Sequence, residues 1–88
     1  MERTVTVANK LGLHARAAAK LVNTAGRFRS RVTMTKDGEE VDAKSILGVL
    51  LLAASQGTRL AIRCEGDDEA DCMQAVSALI ADRFGEES

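Results

Sequence analysis

The residues best suited to chemistry lie together in Asn9-Lys10-Leu11-Gly12-Leu13-His14-Ala15-Arg16, which contains the chain's single histidine. The Asn9–Leu13 stretch reads as a loop, and an amphipathic helix begins just after it. His14 therefore stands where a loop becomes a helix. A helix start leaves up to four backbone N–H groups unpaired and carries a partial positive charge, which together make a ready anion site. A neutral imidazole has one basic nitrogen that can act as a nucleophile. The guanidinium of Arg16 presents a planar fork of donors that can neutralise a transferring phosphoryl group. Nucleophile, dipole and cation thus converge within three residues. On local sequence alone, a solvated surface histidine or a simple helix cap fits the same position. Metal binding fits poorly, because no second ligand stands at a suitable spacing.

The elements that must position this segment can be read along the chain. Thr4 to Val7 alternates as a half-buried strand. From Ala15 to about Arg27, Ala15, Ala18, Val22 and Ala25 recur at helical spacing, with Gly26 as a stop signal. Arg31 to Thr35 alternates again, Asp37-Gly38 forms the tip of a hairpin turn, and Glu40 to Asp42 is the return strand. Ser45 is a good N-cap for the apolar run Ile46–Ala54, which should end as a helix at Gln56-Gly57-Thr58. Arg59 to Glu65 is the last strand, with Leu60, Ile62 and Cys64 on one face. An acidic first turn after Gly66 opens a final helix whose stripe is Met73, Val76, Ile80 and Phe84. The Gly85–Ser88 tail is expected to fray.

The expected order is β-α-β-β-α-β-α in a single domain spanning residues 1–88. Each strand has one apolar and one polar face, so the fold class is α+β, with an antiparallel sheet covered on one side. A length of 88 residues and 45% hydrophobic composition suffice for one core without metal or disulfide staples.

Composition narrows the function. There is no Trp or Tyr and only two Phe, so stacking platforms for nucleic-acid bases are not expected. The net charge of −1 conceals an asymmetry. Residues 1–36 hold eight Lys/Arg and one acid, giving +7, whereas residues 37–88 hold four Lys/Arg and twelve acids, giving −8. This is either a solvated surface or a basic docking face for an acidic partner. The acidic half would oppose a nucleic-acid backbone. No apolar run approaches the roughly 20 residues of a membrane span, and the N-terminal residues carry no apolar signal region, so the expected location is cytoplasmic. Cys64 and Cys72 form no C-x-x-C motif and read as buried, reduced thiols, with a regulatory disulfide as the alternative. No phosphate-binding glycine loop, metal cluster or acid/base pair around a pocket is evident, which argues against a turnover enzyme and for no cofactor.

Two separate motifs resemble the HPr family, the phosphocarriers of the bacterial phosphoenolpyruvate-dependent phosphotransferase system. Asn9–Arg16 followed by Ala18-Ala19-Lys20-Leu21-Val22 resembles its active-site segment, and Lys44-Ser45-Ile46-Leu47-Gly48-Val49-Leu50 resembles its regulatory serine motif. The resemblance implies an open-faced sandwich of four antiparallel strands in order 1-4-2-3 under three helices. It implies that His14 receives phosphate on Nδ1 from Enzyme I, that Arg16 assists, and that the group passes to A domains of sugar permeases or related acceptors. Ser45 matches the serine modified by HPr kinase/phosphorylase. Docking would use the helices after His14 and Ser45, with Leu11, Leu13, Lys20, Arg27, Leu47, Leu50 and Leu51 as contact residues on a monomer. The apolar helix after Ser45 is either mostly buried or partly displayed as this patch. The family's usual proline after His-Ala-Arg is Ala17 here, which restores an N–H and slightly loosens the first turn. A carrier of the nitrogen-related phosphorelay, or a binding module regulated at Ser45 with His14 idle, are the competing readings.

Overall fold

In the computed structural model, residues 1–87 are described. They form β1 (Glu2–Thr6), α1 (Ala15–Gly26), β2 (Arg31–Lys36), β3 (Glu39–Asp42), α2 (Ile46–Leu51), β4 (Arg59–Glu65), α3 (Glu69–Ala81) and a closing 3₁₀ turn, Arg83–Gly85. The expected order holds. The four strands form one sheet in order β1-β4-β2-β3, all neighbours antiparallel. Register follows from alternation: Leu60, Ile62 and Cys64 of β4 and Val32 and Met34 of β2 point into the core and are fully buried. The hairpin forms at Asp37 and Gly38, both with positive φ (49° and 82°), the backbone that a two-residue hairpin of favoured twist requires.

All three helices cover that apolar face. α3 lies across β1 and β4, α2 touches β3, and α1 packs against both α2 and α3. The buried stripe of α1 is Ala17, Ala18, Leu21, Thr24 and Ala25. It is rotated from the Ala15, Ala18, Val22 and Ala25 stripe that spacing suggests, because Ala15 is exposed and Val22 only half-buried. In an alanine-rich helix the small side chains mark no sharp face, and the bulk of Leu21 sets the rotation. Cys64 and Cys72 are buried free thiols. Burial, then the mutual contact of the two thiols, pushes Cys72 up to about 12, so it stays protonated.

α2 departs most from expectation. It ends at Leu51, several residues before Gln56-Gly57-Thr58, with Leu52 as its cap and Ala53 at φ +50°. The early stop answers to a contact with a segment distant in sequence. Turning the chain at Ala53 brings the Ala54 carbonyl to the N–H of Leu13, at 2.9 Å. The apolar run is continuous in sequence, but its last residues serve as a wall for the loop that carries His14.

Candidate phosphoryl-transfer site

The loop before His14 is held from both sides. Buried Asn9 donates from Nδ2 to the Gly12 carbonyl (2.8 Å), closing the loop on itself. Gly12 has φ +66°, and a Cβ there would lie 2.4 Å from the Ala54 oxygen, so glycine is required both by conformation and by space. Leu13 is buried, 5% exposed, and its N–H is taken by Ala54. That corrects its expected place among the docking residues: it anchors the loop to the core and offers no surface.

His14 is the N-cap of α1. Its Nδ1 accepts from the Arg16 N–H at 3.3 Å, a long bond, and its carbonyl accepts from Ala18 at 2.8 Å. The other ring nitrogen, Nε2, meets Glu86 Oε2 at 2.5 Å. A backbone N–H donor at Nδ1 and a carboxylate at Nε2 together define the tautomer of the neutral ring: the proton is on Nε2, and the Nδ1 lone pair faces the start of α1. Among the described residues the exposed Arg16 guanidinium makes no ion pair.

Glu86 belongs to the tail expected to fray, and the structure overturns that expectation for Gly85 and Glu86, while Ser88 lies outside the described residues. After α3 the chain turns sharply through Arg83, Phe84 and Gly85, all with left-handed φ (56°, 56° and 77°). Phe84 is buried completely, outside the helix rather than as the last residue of its stripe. Lys20 of α1 donates to the Phe84 carbonyl at 2.6 Å, and Asn9 Nδ2 donates to Glu86 Oε1 at 3.0 Å. Glu86 thus receives Asn9 on one oxygen and His14 on the other. These contacts hold its carboxyl below the usual carboxylate range, chiefly through the His14 bond and secondly through Asn9, against a smaller opposing effect of desolvation. The short-range sequence held no signal for this residue, because its partners lie 72 and 77 positions away.

The remaining candidates fall into two groups. Leu11 (69% exposed), Leu47 (65%), Leu51 (64%) and Leu50 (38%) are displayed, with Ile46 beside them, so the apolar helix after Ser45 is partly presented to solvent rather than buried. Arg27 is exposed at the C-cap of α1. Lys20 is exposed as a residue, although its ammonium is engaged by the Phe84 carbonyl. Ser45 caps α2, its Oγ accepting from Gly48 N–H at 3.2 Å, and it is half-buried. Lys44 Nζ donates to the Phe28 carbonyl at 2.8 Å, which ties the start of α2 to the end of α1. Ala17 is fully buried in the first turn of α1. No group of three or more His, Cys, Asp or Glu is placed to hold a metal ion among the described residues, and no helix there is long and apolar enough to cross a membrane.

An open-faced α+β sandwich that presents a helix-capping histidine, its Nδ1 facing the helix start two residues before an arginine, is the architecture of a histidine phosphocarrier. Comparison with known proteins agrees. The family model described as "PTS HPr component phosphorylation site" matches residues 1–82. The phosphocarrier protein HPr of Xylella fastidiosa (strain Temecula1) is 56% identical over 88 residues, spanning 100% of this chain and 99% of that protein. A crystal structure of HPr from Thermoanaerobacter tengcongensis superposes with a TM-score of 0.97 at 45% identity, covering 100% of this chain and 99% of the other. A structure described as an HPr dimer from the same organism matches with a TM-score of 0.80 at 45% identity, over 98% and 99% of the two chains. The chain belongs to the HPr family. It is accordingly a phosphocarrier of the phosphotransferase system, which relays a phosphoryl group through a phosphohistidine rather than turning over a substrate.

Proposed function

We propose that His14 is the phosphoryl acceptor, through Nδ1, and that Arg16 stabilises the group in transit. The observation that carries this reading is the pair of contacts on the ring: Nδ1 has only the long Arg16 N–H bond, whereas Nε2 is firmly held by Glu86. The lone pair that attacks phosphorus is therefore the one at the start of α1. As the new bond forms, the Arg16 N–H is released to a phosphoryl oxygen, and the helix dipole and the Arg16 guanidinium meet its charge. Transfer by positioning and charge neutralisation asks for little else from the protein.

The donor is phosphorylated Enzyme I and the acceptors are A domains of sugar permeases or related regulatory proteins, all encountered in the cytoplasm. Exposed Leu11, Leu47, Leu50 and Leu51 around the site form the docking patch, with Arg27 and Lys20 at its basic rim. A carrier that must meet several partners in turn is served by a small interface with fast exchange, and the monomer leaves His14 accessible. Ser45 is the site of regulatory phosphorylation by HPr kinase/phosphorylase. Added charge at this cap suits the helix dipole and leaves the fold intact, while placing about two negative charges beside the apolar patch, where they oppose docking.

The test is intact mass after mixing the protein with phosphoenolpyruvate, magnesium and purified Enzyme I, with His14→Ala alongside. One acid-labile phosphoryl group on the parent and none on the variant is the expected result. No transfer from either a sugar-type or a nitrogen-type Enzyme I overturns it and leaves Ser45 regulation as the leading reading.

A further inference from the structure

The four backbone N–H groups that open α1 are not used alike. The Ala18 N–H is taken by the His14 carbonyl at 2.8 Å, and the Arg16 N–H by Nδ1 of His14 at the longer 3.3 Å. The N–H groups of Ala15 and Ala17 meet no protein acceptor among the described residues. Ala15 is exposed, so solvent serves its donor. Ala17 differs, because it is fully buried, and buried backbone donors in folded proteins nearly always have a partner. Its N–H lies in the same first turn as that of Arg16, and the donors of this turn point back past the N-cap. The N-cap is His14, whose Nδ1 faces the turn while Nε2 is committed to Glu86 of the C-terminal strap. The orphaned donor therefore stands at the end of the helix where the phosphoryl group arrives.

We propose that the Ala17 N–H is a phosphoryl-binding donor, which bonds an oxygen of the group on Nδ1 and shifts the exchange equilibrium toward the phosphorylated chain. This rests on His14 being the acceptor through Nδ1. In the transfer the donor's bond to phosphorus breaks, its electron pair stays with the donor, and the Nδ1 lone pair forms the new N–P bond. No proton moves at Ala17. The Arg16 N–H must release Nδ1 before it can serve a phosphoryl oxygen, so its gain is offset by a loss. The Ala17 N–H has no protein acceptor to release. An interaction made in one state and not in the other shifts the equilibrium between them by its whole strength. A bond from an N–H to an anionic oxygen is also about twice as strong as a neutral one.

Ala17→Pro isolates this donor. Proline in a first helical turn removes an N–H that makes no helical bond, and the carbonyl four residues back, which its ring would crowd, belongs to Leu13, ahead of the helix. The first measurement is the ratio of phosphorylated to free chain at equilibrium with Enzyme I, approached from both directions and read by intact mass. Ala17→Pro is expected to lower that ratio about tenfold, the scale of one hydrogen bond to a charged group, with the His14 ring shifts as in the parent. The second measurement needs no variant. On phosphorylation of the parent, the Ala17 amide proton is expected to move downfield, and its nitrogen to show coupling to 31P across the new bond. A phosphorylated parent whose Ala17 amide neither shifts nor couples overturns the proposal, whether or not Ala17→Pro folds. A folded Ala17→Pro with the parent's ratio overturns it equally, and a lowered ratio without the amide response assigns the effect to helix geometry instead. A parent that Enzyme I does not phosphorylate at all overturns the reading of His14, and this proposal with it.

Discussion

His14 and Ser45 occupy equivalent local positions, each the N-cap of a helix, yet they are built in opposite ways. Ser45 is held by its own neighbourhood: Oγ to Gly48 N–H at 3.2 Å, Ser45 N–H to the Asp42 carbonyl at 3.1 Å. His14 makes a cap bond of similar length to Arg16, but its other nitrogen is held by a residue from the far end of the chain. A serine hydroxyl needs only a rotatable oxygen within reach of one N–H. A histidine that must present one particular nitrogen needs a partner for the other, and no residue within the same turn supplies it. The difference teaches that a regulatory cap can be local, whereas a nucleophilic cap calls on the tertiary fold.

The strongest way to break this contrast is through Gly12, which physically joins the two regions by packing on Ala54 just after α2. Gly12→Ala should lower stability by about 2 kcal/mol or more, since the added carbon meets a backbone oxygen at 2.4 Å and φ is +66°. Denaturant unfolding checks it, and near-parent stability would mean that the loop does not lean on the segment after α2. The two leucines on either side of Gly12 sharpen the point. Leu13→Ala should cost about 2–4 kcal/mol, as expected for truncating a buried leucine. Leu11→Ala, at 69% exposure, should leave stability almost unchanged and raise KM for phosphorylation by Enzyme I.

Ser45→Ala tests the local half. It should destabilise the protein by about 1 kcal/mol through the lost cap bond and leave the His14 tautomer as in the parent. A change in the ring 15N shifts would contradict the independence of the two caps.

The smallest expected effect concerns pH. The Glu86 carboxyl lies below its ordinary value of 4.5, first because of its bond to His14 and then because of Asn9. A depressed carboxylate stabilises the folded state above its ordinary value, and that contribution is lost as pH falls through the lowered one. The strap should therefore be secure from about pH 5 upward and loosen in stronger acid. In His14→Ala the Glu86 midpoint, followed by side-chain 13C shift, should rise toward 4.5. An unchanged midpoint would show that Asn9 alone holds the carboxylate.

These same residues show what the sequence could and could not convey. Strand alternation, the Asp37-Gly38 turn, the Ser45 cap and the His14–Arg16 pairing are set by neighbours a few positions away, so their signals are local and readable. Family resemblance added the 1-4-2-3 strand order, which alternation alone does not determine. The end of α2 was not readable, because the stop at Ala53 answers to Leu13 rather than to any breaker in its own run. Leu13 itself looked like Leu11: two leucines beside one glycine, of which only the fold decides which is buried. The polar, glycine-containing ending suggested fraying, and only tertiary contacts with Asn9, His14 and Lys20 give Phe84, Gly85 and Glu86 a defined path.

Phosphorus arrives on the nitrogen of His14 that faces α1 while the other keeps its proton. The most direct measurement is 15N and 31P NMR of the ring-labelled phosphoprotein. Phosphorus coupled to Nδ1 is the expected result, with a proton retained on Nε2 and exchange-protected by Glu86. Phosphorus on Nε2 would require Glu86 to leave its site and would overturn the assignment of Nδ1 as the acceptor.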